Sequence, residues 1–345
     1  MAFDKILTII IPSYNMEKYL PKCLGSLIVA PELMEKLEVL VVNDGSKDRT
    51  SEIALEFEAK YPQTFKVIDK QNGHYGSCIN AGLAVAHGTY IKVLDADDSF
   101  DTAAFTEYMT FLVKTVEGEW ACAPDMIWND FVWEDEKGVG FKTMRRNLPP
   151  RMHFDVEDEA VDLHGLYMHQ VAYKTENLRA IGYRQDEGIC YTDNEWCHVP
   201  VSTASTVVCC DVSLYRYLVG REGQSVDVAV MKKNLWMTEK VALRMAEDAK
   251  VSHPSAKVRQ YLFDFACTVI GNVYKTAILH IHDKEHDERL RAFEDNLAKV
   301  YPELIDCINK TKSRFNIVAA WRRRNNSNTL SLKLYRWNLR RKGLI

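Results

Sequence analysis

Over the first hundred residues, apolar and polar positions are grouped in blocks. Short runs rich in β-branched and other apolar side chains stand at 5–11 (KILTIII), 37–42 (LEVLVV), 65–69 (FKVID) and 89–95 (TYIKVLD). Such runs predict strands buried on both faces, as in a parallel sheet. The segments 51–60 and 77–86 between them read as helices, and the Ser/Asp/Thr-rich turn Asp44 to Thr50 is expected to supply an N-cap to the first. Strands alternating with helices are the mark of βαβ units. From 102 to 218 the pattern is mixed, with a helix at 102–116, strand-like runs at 125–133, 139–144 and 206–218, and a helix near 175–181. From about 226 onward it is helical: Met231–Asp248, Ala256–His280 and His286–Val300 carry apolar residues at three- and four-residue spacing. The expected fold class is α/β, a Rossmann-like and mostly parallel sheet with helices on both faces, followed by a helical C-terminal region.

In open α/β sheets, ligands bind beyond the carboxyl ends of the strands. Those ends carry Ser13-Tyr14-Asn15, Asn43-Asp44-Gly45-Ser46 and Asp95-Ala96-Asp97, so three polar clusters are expected to meet in one crevice. The stretch VLDADD, 93–98, sets Asp95, Asp97 and Asp98 close together, where mutual repulsion raises their pKa values at a cost in stability. Strand geometry would put Asp95 and Asp97 on one face with Ala96 turned away. Acids at a strand end can also simply cap the next helix, here the one starting near Thr102. With Asp44 at another strand end, and no Lys or Arg beside the acids to neutralise them, a divalent metal accounts for them better. Mg²⁺ and Mn²⁺ are typically held by one or two carboxylates plus substrate phosphates, so the site calls for a diphosphate.

Composition narrows the class. A chain of 345 residues, 47% hydrophobic and 27% charged, is an ordinary globular protein of about two domain-sized units. Apolar runs such as Leu7 to Ile11 fall below the roughly 20 residues of a membrane-spanning helix, and Pro12 interrupts the N-terminal candidate for a signal. Nine cysteines, including the adjacent pair Cys209-Cys210, do not make a disulfide framework and suit a reducing compartment, so a cytoplasmic location is expected. Charge is uneven: up to Asp306 there are 48 acidic and 33 basic residues, and beyond it eleven basic residues and none acidic. That asymmetry calls for an acidic partner or a negatively charged surface near the C-terminus.

The segments TIIIPSYNMEKYLPKCLGSL, EVLVVNDGSKDRTSEIA and QNGHYGSCINAGLAVAHGTYIKVLDADD, in this order, resemble the nucleotide-binding half of family 2 glycosyltransferases of the GT-A fold. The resemblance covers residues 5 to about 220. It implies a donor-binding half at 1–100, an acceptor-binding half at 101–225 and a helical region with a basic tail at 226–345. Asp44 matches the family's base-contacting aspartate, Pro12, Ser13 and Tyr14 its first-strand loop, Asp95 the first acid of its DxD element near the ribose, and Asp97 the metal-binding acid. Ala96 lies between those acids, and Asn72, Gly73 and His74 form a loop that could approach the donor; an ordinary helix-entry turn explains His74 equally well. The family's Ala-Arg-Asn triplet is replaced by Cys78-Ile79-Asn80, so the usual positive charge is missing there.

An acceptor hydroxyl attacking an anomeric carbon must lose its proton, and a carboxylate opposite the leaving diphosphate can take it with inversion. In GICYTDNEWCHVP, Asp193 matches the family's base, Thr192 replaces its neighbouring Glu, and Glu195 is the competing candidate. Arg221, Gln224 and Ser225 in LYRYLVGREGQSV resemble the family's phosphate-contacting element after the last strand, where an Arg could replace the charge lost at Ile79. The resemblance thus implies an inverting transferase dependent on Mn²⁺ or Mg²⁺, with a nucleotide-sugar donor, a UDP-sugar, and a glycan or lipid-linked acceptor.

Trp128, Phe131 and Trp133 could line an acceptor cleft or pack in the core. In the tail, Leu330, Leu334 and Trp337 share one helical face beside Lys333, Arg340, Arg341 and Lys342, the composition of an interfacial helix drawn to anionic lipid, unless the helix packs on the protein instead. Nucleic acid is not expected, because no stacking platform accompanies the charges. Two other readings remain open: sugar-phosphate nucleotidyl transfer, which would want a Gly-rich first loop that 11–18 does not supply, and a nucleotide-sugar-binding partner without catalysis, which Thr192 and Ile79 would suit.

Overall fold

A computed structural model of the chain describes residues 5–118, 123–220, 228–250, 253–310 and 317–341. The chain divides into two compact units, Met1–Arg221 and Glu222–Ile345.

The first unit is built on one ten-stranded sheet. Its strands are β1 (Leu7–Ser13), β2 (Leu37–Asn43), β3 (Phe65–Asp69), β4 (Tyr90–Val93), β5 (Ser99–Phe100), β6 (Met126–Glu134), β7 (Gly140–Met144), β8 (Phe154–Asp155), β9 (Val171–Lys174) and β10 (Thr206–Leu218). Its helices are α1 (Leu20–Gly25), α2 (Pro31–Met34), α3 (Thr50–Lys60), α4 (His74–Val85), α5 (Thr102–Glu117), α6 (Thr175–Ala180) and α7 (Asp193–Trp196). The strand order is β3-β2-β1-β4-β9-β6-β10-β5, with β7 added on β6 and β8 on β10. The first four neighbours are parallel, in the register Ile9 to Val39 and Ile9 to Lys92. The β9 strand enters from an irregular segment and not through a crossover helix, and it runs antiparallel to both β4 and β6.

Every residue of β2 is buried, as is every residue of β1 but Pro12. Their continuous apolar runs therefore suit strands covered on both faces. Helix α5 starts where the Asp101 carboxylate accepts from Ala104 N and ends at Gly118, whose φ of 132° favours glycine. The N-cap expected for α3 takes a different form. The residue before the helix is Arg49, whose side chain makes no cap bond, and Asp48 Oδ1 instead accepts from Thr50 N at 3.0 Å.

The second unit is helical: α8 (Val228–Lys233), α9 (Leu235–Asp248), α10 (Ala256–Lys275), α11 (Lys284–Val300), α12 (Glu303–Lys310), α13 (Ile317–Arg322) and α14 (Leu330–Arg341). Ser255 caps α10 by accepting from Val258 N, and Asp283 caps α11 by accepting from His286 N. A π-helical turn, Thr276–Ile281, prolongs α10. The resulting helix, Ala256–Ile281, has 26 residues and contains an 18-residue window with a mean hydropathy of 1.3, long and apolar enough to cross a membrane by length and composition. No unbroken apolar run marks it in the sequence, because Asp264, Asn272 and Lys275 interrupt the apolar positions without breaking the helix. Half of that window is buried, which a core helix also satisfies.

Candidate active site

The loops after β1 and β2 are stitched together by side chains. Asn15 N donates to Ser46 Oγ at 3.0 Å, Lys47 N donates to Asn15 Oδ1 at 2.8 Å, and Met16 N donates to Thr50 Oγ1 at 2.7 Å. This lattice holds Asn15 at a φ of 55° and leaves Tyr14 46% exposed. Tyr14 lines a cleft of about 530 Å³ with Asn43, Gly45, Lys47, Asp69, Lys70 and Asn72. Ser13 is buried and its hydroxyl donates to Ile11 O, while Pro12 is half-buried in β1.

Asp44 is buried behind this cleft and already paired. Its Oδ1 accepts from Lys70 Nζ at 2.7 Å and from Gly73 N at 2.9 Å, and its carbonyl accepts from Asn72 Nδ2. The expectation that no basic residue neutralises the strand-end acids is therefore wrong for Asp44. Lys70 lies 26 positions away in sequence and reaches it because β3 is the neighbour of β2. The same ammonium donates to Ser77 Oγ at 2.8 Å and so lies at the entry of α4, the helix in which Ile79 is fully buried.

The acids 95–98 form a turn and not a strand. The β4 strand ends at Val93, and Asp98 N donates to Asp95 O at 3.0 Å, so the expected period-two alternation does not apply. Ala96 points into the core. Asp95 Oδ1 accepts from Tyr75 Oη at 2.8 Å. Asp98 is buried, with Oδ2 accepting from Tyr215 Oη at 2.7 Å and Oδ1 from Leu218 N at 2.8 Å. Burial, with the charges of Asp97 and Asp95 behind it, pushes the Asp98 carboxyl well above its ordinary range, against the pull of those two donors. A cation beside it would relieve that penalty.

The residue that completes this cluster is His169, which the sequence reading did not single out. Asp95, Asp98 and His169 each offer a ligand atom within 4.8 Å of the others. Asp97, the acid matched to the metal, is half-exposed in the same turn and outside that group. The His169 ring is stacked among Phe131, Tyr215 and Tyr217 at centroid distances of 4.5 to 4.8 Å, and its Nδ1 is buried without a partner. Burial, aided by the nearby Lys92 charge, holds its pKa down to about 3, so the imidazole is neutral, the form that binds metals. Two carboxylates and an orphaned neutral imidazole fit a hard or borderline divalent ion.

The candidate base bears electrostatically on the same Tyr75. Burial raises the Tyr75 phenol far above its usual range, and the next contributions are the charges of Asp95 and then Asp193. Asp193 opens α7 after Tyr191, which is held at a φ of 70°. Burial raises the Asp193 carboxyl above its ordinary value, opposed by its own backbone N–H and that of Asn194. The competing Glu195 is buried and its Oε2 accepts from Asp186 N at 2.9 Å, so it braces the approach loop. Asn80 clamps that loop from the other side, donating to Gln185 O and Glu187 Oε1 and accepting from Gln185 N, each within 2.9 Å. Gly73 O accepts from Gly188 N, and His74, at a φ of 63°, sets Nδ1 3.6 Å from Cys190 Sγ. Asn15, His74 and Tyr191 thus hold left-handed backbone on three loops at this site, a strain that persists only where the surroundings over-determine it.

Of the aromatic trio, Trp128 and Phe131 are buried and belong to the core, and Trp133 is half-buried with Lys142 Nζ 4.9 Å from its ring centroid. Arg221, Gln224 and Ser225 lie outside the described residues.

The family model for glycosyl transferase family 2 matches residues 8–162. An uncharacterised glycosyltransferase of Mycoplasma pneumoniae, the MG025 homolog, is 42% identical over 107 residues, 30% of this chain and 36% of that protein. The minor teichoic acid biosynthesis protein GgaB of Bacillus subtilis is 36% identical over 110 residues, 32% of this chain and 12% of that protein. The matches thus span about a third or less of these relatives' own length. Among solved structures, S. aureus TarS 1–349 in complex with UDP-GlcNAc is similar with a TM-score of 0.68 at 17% identity, over 98% of this chain and 92% of that one. The shared architecture is the GT-A fold followed by helices.

Proposed function

Through residues 8–162 the chain belongs to glycosyl transferase family 2, and from that premise we propose that it moves a sugar from a UDP-sugar to a glycan or lipid-linked acceptor in cell-surface polysaccharide synthesis, with inversion and a divalent metal. The observation that carries this reading is that one phenol, Tyr75, lies under the charges of both the Asp95 turn and Asp193. A carboxylate suited to take a proton and a cluster suited to hold a metal therefore both lie within electrostatic reach of one side chain. The Tyr14 cleft beside them suits a base and ribose. The UDP-GlcNAc complex of TarS and the teichoic acid role in the name of GgaB support the donor and acceptor classes. The eight described cysteines are all free, which supports a cytoplasmic location.

Each residue has a distinct task in this reading. Asp193 accepts the acceptor hydroxyl's proton as that oxygen bonds to the anomeric carbon and the bond from that carbon to the diphosphate breaks. Its raised pKa brings it closer to neutrality and makes it a better base. Asp95, Asp98 and His169 would hold the ion, with Asp97 in the same turn. Bound Mn²⁺ or Mg²⁺ supplies a counter-charge for the leaving diphosphate. Tyr14, Ser13, Pro12, Asp44 and the Asn72-Gly73-His74 loop shape the nucleotide side, Asp44 positioning the loop through Gly73 N. Arg221, Gln224 and Ser225 would add phosphate contacts.

The test is UDP release across a panel of UDP-sugars and acceptors. Asp193→Asn should keep UDP affinity and lose about 10²- to 10⁴-fold in kcat. The acid limb of the wild-type kcat/KM profile should lie above the ordinary carboxylate value of about 4. Turnover by Asp193→Asn at the wild-type rate would defeat the assignment of the base, and UDP binding with no turnover of any donor would favour a binding partner.

A further inference from the structure

Helix α14 has two apolar faces, and only one of them is used. Leu332 is fully buried, and Arg336 is buried with Nη1 donating to Ile278 O and Ser327 O at 2.8 Å each, so these side chains anchor the helix to its unit. That anchoring turns Leu330, Leu334 and Trp337 outward, 70%, 59% and 60% exposed. At i, i+4 and i+7 they form one continuous stripe. Three of the twelve exposed large hydrophobic side chains among the described residues thus lie on one twelve-residue helix. Singly exposed hydrophobics are ordinary, whereas a contiguous row asks for a partner.

Every charged residue of the helix is a cation. Lys333, Arg340 and Arg341 are exposed on the same side, and Arg341 carries its guanidinium 5.8 Å from the Trp337 ring centroid. Arg336, Lys232 and Arg340 bear electrostatically on His282 against the opposite charge of Asp283, and Lys275 and Lys232 bear on His280. The sequence after Asp306 has no acid.

We propose that the outer face of α14 docks on an anionic phospholipid surface, with Leu330, Leu334 and Trp337 inserted at the headgroup level and Lys333, Arg340 and Arg341 against the lipid phosphates. The pattern of large apolar residues on one side with Lys and Arg at the flanks is that of an interfacial helix. A second copy of the chain fits the face poorly, because an isologous contact would bring two sets of Lys333, Arg340 and Arg341 into one interface with no acid of the helix to pair them. The proposal does not depend on the donor chemistry of the first unit.

Vesicle flotation of the full chain tests it, with phosphatidylcholine alone and with phosphatidylcholine plus phosphatidylglycerol. The chain should float with the anionic vesicles and stay behind with the neutral ones, and binding should fall as the screening length shortens from about 10 Å at 0.1 M salt to about 3 Å at 1 M. Each cation contributes about fivefold in affinity, so the triple variant Lys333→Gln, Arg340→Gln, Arg341→Gln should lose about 100-fold. The double variant Leu334→Asp, Trp337→Asp, which alters only exposed positions, should keep its melting temperature and lose binding. Equal flotation with both vesicle types, or full binding by the double variant, overturns the proposal. So does concentration-dependent self-association by light scattering that the double variant abolishes in a chain that does not float.

Discussion

Lys92 is a fully buried amine in the centre of the sheet, and the site depends on it. Its Nζ donates to Asn129 Oδ1 at 2.8 Å, to His169 O at 3.0 Å and to Val171 O at 3.3 Å, tying β4 to β6 and to the segment that presents His169. Burial lowers its pKa from the usual 10.5 to about 7. Between those two values the unfolded chain holds a proton on this amine that the folded one lacks. Its stabilising effect is therefore complete above about pH 10 and is lost as the pH falls toward 7. Lys92→Met keeps the apolar stem and removes the donor shared by Asn129 Oδ1, His169 O and Val171 O, although His169 O keeps Asn129 Nδ2, at about 1–3 kcal/mol. Denaturant titrations across this range should show a wild-type rise of up to about 1.4 kcal/mol per pH unit that the variant lacks. The same slope in both proteins would mean that the folded amine keeps its proton.

At the scale of elements, the proposed base Asp193 rests on the joint between α4 and the loop leading to α7. A Cβ on Gly76 would lie 2.1 Å from Asp186 O and 2.9 Å from Gln185 Cβ, so only glycine lets the helix approach the loop that Asn80 and Glu195 hold. Gly76→Ala must push that backbone away. It should cost about 1–3 kcal/mol by overpacking and lower kcat more than UDP affinity, because the loop carries Asp193 while the Tyr14 cleft lies at other loops. A variant with wild-type kcat and only a lower melting temperature would uncouple the loop from the base. This joint was half legible in the sequence. The apolar runs announced β1 to β4, and the strand ends announced the polar clusters, because burial on two faces leaves a simple pattern. The turn at 95–98 reads as strand in the sequence, since a run of apolar residues does not reveal where hydrogen bonding to the neighbour stops. His169 carries no signal in the sequence: it lies in a single 3-10 turn, Met168–Gln170, and only the folding of β9 beside β4 and β6 brings it to acids more than 70 positions earlier. Lys70 was hidden for the same reason, its partner Asp44 being distant in sequence and adjacent only through the sheet.

For the molecule as a whole, the division into Met1–Arg221 and Glu222–Ile345 assigns every described donor-side residue to the first unit. Ligand linkage should follow that division. At a hundred times its dissociation constant, UDP with Mn²⁺ adds about 2.7 kcal/mol to any opening that destroys the site, which slows the exchange of the amides concerned about 100-fold. Hydrogen exchange on the full chain should therefore show protection centred on 13–15, 43–47, 70–76, 95–98, 169 and 186–196, the loops that Asp44, Asn80, Tyr75 and Glu195 tie together. Peptides over 221–225 should join them if Arg221, Gln224 and Ser225 reach the phosphates. Amides of α10 and α11, helices of the second unit whose Tyr274 and Phe293 rings lie 6.0 Å apart, should exchange at the unliganded rate. Strong protection of α10 and α11 with none at 95–98 would move the nucleotide out of the crevice, and with it the roles proposed for Asp193 and the acidic turn.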